Sequence, residues 1–258
     1  FALDANTTSS ENTAVGYNAL TDNTSGTQNT CVGHTALANN TTGTRNVAVG
    51  NGALFTQTGS SYNTGVGYGA LYSNTGTQNA ALGYAALLNS TASNNVAVGH
   101  NALTNSTTGA YNVAVGALAL DANTTANYNV AVGYGALGAN TTGDLNVAMG
   151  AGALGSNTVG DRNVAIGHNS LSSLNPASNT DTYNVAIGLN ALAQCSTGTH
   201  NVSVGGDCLN STTSGSNNTA VGSAALYANT TGARNTAVGR QALDTQTTAD
   251  DNTTVGYQ

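Results

Sequence analysis

Three glycines at positions 150, 152 and 155 have the spacing of a loop that binds a dinucleotide. They form the pattern Gly150-x-Gly152-x-x-Gly155 and follow a short apolar segment, 147–149. In such a loop the glycines let backbone N–H groups approach a pyrophosphate at the start of a helix, within a strand–helix–strand unit. Here the next copy of the same motif, NVAIG, begins at Asn163, 13 residues after Gly150, which leaves no space for that helix and its crossover. The spacing therefore predicts that no nucleotide binds here.

Residues that could act as nucleophiles, bases or metal ligands are few and scattered. Catalysis needs a nucleophile and a base within hydrogen-bonding reach, and a metal site needs several ligands that converge on one ion. The histidines and cysteines follow no such spacing: they are His34, His100, His168, His200, Cys31, Cys195 and Cys208. Asp144 and Asp161 are equivalent residues of neighbouring repeats, but two carboxylates alone do not make a calcium site. We predict a protein without enzymatic activity, cofactor or metal.

The composition argues against two further classes of function. Only 6% of the 258 residues are charged, and the net charge is −7, whereas about a quarter of the residues are charged in ordinary soluble domains. Nucleic-acid binding needs a basic patch, and the chain has four Arg and no Lys. No apolar run approaches the roughly 18 residues of a membrane-spanning helix. We therefore expect neither nucleic acid nor membrane insertion for this segment.

A repeat of 17 residues explains the first glycine of the opening motif. We number the repeat from its asparagine, so that its consensus is N-[V/T]-A-V-G-x-x-A-L-x-x-N-T-T-G-x-x. Most copies of the glycine at position 5 are 17 residues apart, and this glycine occurs fifteen times: Gly16, Gly33, Gly50, Gly67, Gly83, Gly99, Gly116, Gly133, Gly150, Gly167, Gly188, Gly205, Gly222, Gly239 and Gly256. Gly152 and Gly155 fall at the variable positions 7 and 10, so the opening motif arises by chance.

The period predicts the fold class. Seventeen residues are too few for a helical hairpin repeat, which needs about 30. Positions 2–4 predict a short strand, and the Ala-Leu pair at positions 8 and 9 predicts the start of a second one. Such rungs stack about 4.8 Å apart into an all-β protein, a parallel β-solenoid of 17-residue rungs that spans residues 1–258 as one array. Its ladders of equivalent residues include Asn12, Asn46, Asn146, Val15, Val49, Leu20, Leu54, Leu137, Gly16, Gly50 and Gly150.

Each ladder has a predicted role. Stacked asparagines pass amide hydrogen bonds along the axis, the Leu and Val rows form a narrow core, and recurrent glycines such as Gly50 and Gly43 form corners. The small alanines of position 3 then face outward, which favours packing against a second copy over a shallow exposed surface. One repeat has four additional residues, including Pro176, and we expect a loop near residues 172–182.

Two rows suggest surface interactions. Position 6 carries Tyr17, His34, Tyr68, Tyr84, His100, Tyr134 and His168. These rings could stack on sugars of a cell-surface receptor or on a sister chain, or they could simply fill an edge of the solenoid. A threonine row at position 13 suggests an ice-binding surface as an alternative, although the paired threonines are adjacent rather than separated by one residue. That row includes Thr24, Thr41, Thr107, Thr141 and Thr230.

The repeat resembles those of bacteriophage tail fibres and bacterial surface fibres, over essentially the whole chain. One copy carries the motif in Asn46, Ala48, Val49, Gly50, Ala53 and Leu54. Its first half is similar to the coils of trimeric autotransporter adhesin heads, whose period is shorter. That resemblance implies a left-handed parallel β-roll with three chains side by side. It implies no catalytic residues.

These observations together predict a non-enzymatic structural or adhesive fibre segment. The expected location is extracellular, on a cell surface or a virion. The expected partners are copies of the same chain, in a homotrimer, and a cell-surface glycan or receptor. The chain begins with Phe1 and shows no polar capping repeat, so we expect either a fragment of a longer fibre protein or a filament subunit that stacks end to end.

Overall fold

The computed structural model describes residues 1–257 and confirms an all-β chain of parallel strands that form a β-solenoid. The last residue of the predicted array, Gln258, lies outside the described residues. The strands are β1 Thr13–Val15, β2 Thr30–Val32, β3 Val47–Val49, β4 Thr64–Val66, β5 Ser73–Asn74, β6 Ala80–Leu82, β7 Asn89–Ser90, β8 Val96–Val98, β9 Val113–Val115, β10 Val130–Val132, β11 Val147–Met149, β12 Gly160–Asp161, β13 Val164–Ile166, β14 Thr180–Asp181, β15 Val185–Ile187, β16 Val202–Val204, β17 Thr219–Val221, β18 Thr236–Val238 and β19 Thr253–Val255.

The chain forms two compact units, Phe1–Asn127 and Tyr128–Gln258. In the first unit the main ladder follows the order β1-β2-β3-β4-β6-β8-β9, and β5 pairs separately with β7. In the second unit the main ladder runs β10-β11-β13-β15-β16-β17-β18-β19, and β12 pairs with β14. Strands pair in parallel and in register, so that each residue faces its equivalent in the next repeat, as Val147 faces Val164.

The core contains the Leu row together with the Ala row, and the predicted position of the Val row is wrong. Leu54 and Ala48 are fully buried, whereas Val15 is 58% exposed and Val49 is half-buried. Because side chains alternate along a strand, positions 2 and 4 share one face and position 3 takes the other. The interior is narrow: a Cβ placed on Gly65 at position 3 would lie 3.4 Å from Leu54 Cγ. Only a small side chain fits there, so alanine faces inward and valine outward.

The Ala-Leu pair lies in a turn, so the second strand predicted there is wrong. The leucines of position 9 have positive φ angles, with values of 53° at Leu20, 55° at Leu54 and 51° at Leu137. An L-residue in this region costs about 1–2 kcal/mol. Full burial of each leucine stabilises by about 1.5–3 kcal/mol, which offsets that cost. The backbone stays paired, since Leu54 N–H donates to Ala70 O at 3.0 Å in the next rung.

The corner glycines have two different structural reasons. At position 5 the φ angle is strongly positive, 133° at Gly16, 128° at Gly50 and 136° at Gly150. At position 15 close packing is the cause: a Cβ on Gly43 would meet Ser60 O at 2.3 Å. A Cβ at position 5 would clash as well, 2.5 Å from Gly67 O in the case of Gly50, so position 5 combines positive φ with close approach and position 15 has close approach alone.

The irregular repeat, where a loop was predicted, alternates between buried and exposed residues. Leu174, Pro176 and Thr182 are buried, whereas Ser173, Asn175, residues 177–179 and Asp181 are exposed. Leu174 occupies position 12 inside the rung, and the Thr182 hydroxyl donates to Asn163 Oδ1 at 2.8 Å. Apolar burial and a buried hydrogen bond therefore anchor the insertion at both ends, and most of the side chains between these anchors are exposed.

A second buried polar row, at position 12, yields a stability prediction. Asn40 Nδ2 donates to Asn23 Oδ1 at 2.8 Å, but Asn40 Oδ1 accepts no hydrogen bond among the described residues. The next residue of the row is Gln57, whose amide donates to Ser60 O instead. A Gln57→Asn substitution should place a donor on Asn40 Oδ1 and stabilise the fold by about 1 kcal/mol. Thermal unfolding followed by circular dichroism measures this as a higher Tm.

The matched variant Gln57→Ala should lower the Tm, because it removes the acceptor that Gln57 offers to Asn63 Nδ2 at 2.9 Å. A lower Tm for Gln57→Asn would contradict the argument that the unpaired amide oxygen destabilises the row.

Candidate functional site

The asparagines of position 1 form a buried hydrogen-bonded ladder inside each unit. Asn46 donates from its backbone N–H and from Nδ2 to Asn29 Oδ1, at 2.9 and 3.0 Å. Asn146 Oδ1 likewise accepts from the backbone and side chain of Asn163, at 2.9 and 3.0 Å. Asn12, in the first complete repeat, is half-buried and accepts from Asn29 in the same way. These amides satisfy one another and the backbone, so the row is structural.

Several aromatic residues of position 6 stack on one another through their ring faces. Tyr68 stacks on Tyr84 with centroids 5.3 Å apart, and Tyr84 stacks on His100 at 5.2 Å. Tyr17 and His34 form a separate stack at 5.3 Å. The middle of each stack therefore offers only ring edges to a ligand. Free ring faces occur where a stack ends.

The same row is interrupted in the second unit. Tyr134 is 64% exposed, and the next residue of the row is Ala151. His168 follows Ala151 and is exposed as well. The structure thus brings together five of the seven rings predicted as a surface row, in two stacks, and leaves these two apart.

A second apolar row, at position 10 of the first unit, was missed by the sequence analysis. Phe55 stacks on Tyr72 with centroids 5.1 Å apart. Tyr72 lies over Gly52, where a Cβ would come within 3.1 Å of its ring, and Leu88 lies over Gly69. The repeat consensus does not reveal this row, because position 10 holds many residue types along the chain. Its signal is local: consecutive repeats pair an apolar residue at position 10 with a glycine at position 7.

These two rows border a groove on the first unit. One depression of about 280 Å³ is lined by Asn51, Tyr68, Gly69, Tyr72 and Leu88. A second depression of about 280 Å³ is lined by residues of the preceding rungs: Asn18, Thr21, Asp22, Thr35, Ala38, Asn39 and Phe55. Because Phe55 of the second depression stacks on Tyr72 of the first, the two are adjacent along the groove.

The outward strand face of each unit carries no charge. It consists of positions 2 and 4 of the main strands, where every residue is Val, Thr, Ala, Leu, Ile or Met. Leu82 and Met149 are 51% and 41% exposed there. The alanine face, which was expected to face outward, is buried instead.

Charged groups cluster beside the strand face at positions 16 and 17. Arg162 Nε lies 2.7 Å from Asp181 Oδ1, and the hydrogen bond from this guanidinium lowers the pKa of Asp181. Burial, the largest effect, raises the pKa of Asp161, whose carboxylate accepts from Asp144 N–H at 2.7 Å. The acidic pair thus serves backbone hydrogen bonding, and the described residues hold no group of three His, Cys, Asp or Glu side chains suited to a metal ion.

The remaining candidates for chemistry are inert or dispersed. The three cysteines are buried and unpaired with one another, and burial raises the pKa of the Cys31 and Cys195 thiols to about 12. In the opening motif, Gly155 N–H donates to Gly152 O at 3.1 Å within a turn, and no helix follows. Within residues 1–257 no helix is long and apolar enough to span a bilayer.

The hydroxyl groups of the position 13 threonines donate hydrogen bonds within the solenoid. Thr41 Oγ1 donates to Thr58 O at 3.0 Å, and Thr230 Oγ1 donates to Thr247 O at 2.9 Å. Thr24, Thr107 and Thr141 make the equivalent bond to the next rung. Because these hydroxyl protons are already donated to backbone carbonyls, the row is weakly suited to bind ordered water.

Comparisons with protein-family models, curated proteins and solved structures give no match to this chain.

Proposed function

We propose that this chain is a non-enzymatic segment of an extracellular fibre, of the phage tail-fibre or bacterial surface-adhesin kind, whose copies associate side by side. The observation that carries the proposal is the outward strand face. Positions 2 and 4 hold no charged residue in any of the fifteen repeats, although many of these side chains are exposed in the single chain. Position 4 is moreover apolar in every repeat, and a continuous exposed apolar row of this kind is typical of an interface.

The size of this face supports association. Strands about 4.8 Å apart and three residues wide give roughly 300 Å² for each unit. That area lies in the range of the largest apolar patch on a typical soluble monomer, which is often functional. Burial of such a face stabilises an assembly through the hydrophobic effect, at roughly 25 cal/mol for each Å² removed from water.

A second copy is the partner that fits best. It presents the same uncharged rows with the same rung spacing, so that side chains of one copy can interdigitate with those of the other over many rungs. The resemblance of Asn46, Ala48, Val49 and Gly50 to adhesin-head repeats favours three copies. The same resemblance is the support for an extracellular location on a cell surface or virion.

Charge placed on the strand face tests this proposal. The half-buried Val49 and Val98 lie at position 4 of the first unit. In the double variant Val49→Glu, Val98→Glu, each carboxylate can reach water in a single chain but would be desolvated between copies. Sedimentation equilibrium should give a multiple of 25.4 kDa for the unmodified chain and 25.4 kDa for the variant.

The matched control places the same two charges on the polar turn. Ser25 and Thr108 are exposed at position 14, and Ser25→Glu, Thr108→Glu should leave the assembly unchanged. A mass of 25.4 kDa for the unmodified chain at every concentration would overturn the proposed assembly.

A further inference from the structure

The groove of the first unit lies on another side of the rung from the strand face, and it has the features of a ligand site. In the first depression the lining residue of position 7 is Gly69, which is buried and carries no side chain. The walls of this depression are the position 6 and position 10 side chains, including Tyr68 and Tyr72. A glycine beside two aromatic side chains creates the concave shape that a small ligand needs.

Tyr68 lines this groove and, among the described residues, is stacked by another ring on one side only. It is the first ring of the stack that continues through Tyr84, and the preceding residue of its row is Asn51 rather than an aromatic residue. Tyr68 is 58% exposed, and Asn51 is exposed beside it. The depression therefore combines an aromatic face with a side-chain amide that can both donate and accept hydrogen bonds.

The adjacent depression is polar. Asn18, Thr35 and Asn39 contribute amide and hydroxyl groups, and Asp22 adds the one carboxylate. No cationic side chain lines either depression. An anionic ligand would find no counter-charge here and would be repelled by Asp22.

We propose that this groove binds an uncharged oligosaccharide, with one sugar ring against Tyr68 and the next in the polar depression. The C–H bonds of a sugar ring carry partial positive charge and suit the negative face of a phenol ring. Sugar hydroxyl groups suit the amide of Asn51 and the polar groups beside Asp22. Two depressions in line match a chain of sugars better than a single small molecule. The inference rests on the adhesive role in the proposed function and names its ligand class.

An array of immobilised oligosaccharides, neutral and sialylated, tests the proposal with the full chain carrying a fluorescent label. We expect retention on neutral oligosaccharides and none on sialylated ones. Titration calorimetry with a retained neutral oligosaccharide should show that Tyr68→Ala weakens binding about tenfold, because one stacking contact is lost. Asn51→Ala should weaken it as well, since a hydrogen bond is lost.

The matched control is Tyr134→Ala, which removes an equally exposed tyrosine of position 6 in the second unit and should leave the affinity unchanged. Retention of sialylated oligosaccharides alone, retention of none, or an unchanged affinity of Tyr68→Ala would each overturn the inference. The Val49→Glu, Val98→Glu variant separates the two proposals: it should keep sugar binding at each groove while it loses self-association. If the unmodified chain does not self-associate, its binding of sugars at the groove can still be measured.

Discussion

The Gly150→Ala substitution is expected to destabilise its rung by about 3 kcal/mol or more, which would be one of the largest effects of adding a single methyl group to this chain. The φ angle of Gly150 is 136°, a region that costs about 1–3 kcal/mol for a residue with a side chain. The new Cβ would also lie 2.5 Å from Gly167 O and 2.6 Å from Gly167 C, which are backbone atoms of the next rung. Two stacked corners would have to separate, and overpacking of this kind costs about 1–3 kcal/mol more.

Amide hydrogen exchange is the appropriate measurement, because the rungs of a solenoid can open locally. We expect residues 146–170 to lose protection in Gly150→Ala. The control is Gly135→Asn in the same unit. Gly135 has a φ of 59°, a Cβ added to it would meet no atom within 4 Å, and asparagine occupies the same repeat position at Asn101 and Asn169. Equal protection in the two variants would show that the position 5 corner tolerates a side chain.

The Asn46→Leu substitution is expected to destabilise the first unit by about 3 kcal/mol. Leucine is close to asparagine in size, so the change removes polarity more than volume. It would leave the buried Asn63 N–H, now 2.9 Å from Asn46 Oδ1, without its acceptor. It would also remove the bonds from Asn46 Nδ2 to Asn29 Oδ1 and to Ser60 O, both 3.0 Å long. An unsatisfied buried polar group costs about 1–3 kcal/mol.

Urea denaturation followed by circular dichroism measures this loss as a lower midpoint. The same substitution at the exposed Asn89 provides the control and should change stability by less than about 0.5 kcal/mol. If both variants unfold at the same urea concentration, the asparagine ladder contributes nothing specific to the fold.

Much of the architecture follows from the sequence because the repeat is so regular. When equivalent residues recur every 17 positions, parallel in-register stacking is the arrangement that gives every rung the same environment. The pairing of Val147 with Val164 was therefore predictable from the period alone. The same period predicted that the opening glycine motif does not start a nucleotide-binding helix. The turn from Gly152 to Gly155 agrees with that prediction.

Only one part of the candidate site could be predicted from the sequence. The aromatic row at position 6 is visible in the sequence, since Tyr68, Tyr84 and His100 recur at the same repeat position. The groove beside it was not, because it depends on Phe55 and Tyr72 at a position that varies from rung to rung. Only the stacking of those two rings, and the missing side chain of Gly69 beneath Leu88, create the depression.

By itself, the sequence determined the class of fold, the period and the register, because these depend on repetition along the chain. Only the tertiary structure decided which strand face is buried. Alternation defines two faces without ranking them. A Cβ at Gly65 would already contact Ala70 O at 3.1 Å and Leu54 Cγ at 3.4 Å, so the interior has space for alanine and little for the two further carbons of valine. The tertiary structure also decided that the leucines adopt positive φ, which no local preference of leucine indicates. Closing a 17-residue rung around a narrow core requires that conformation, and burial of the leucine side chain offsets its cost.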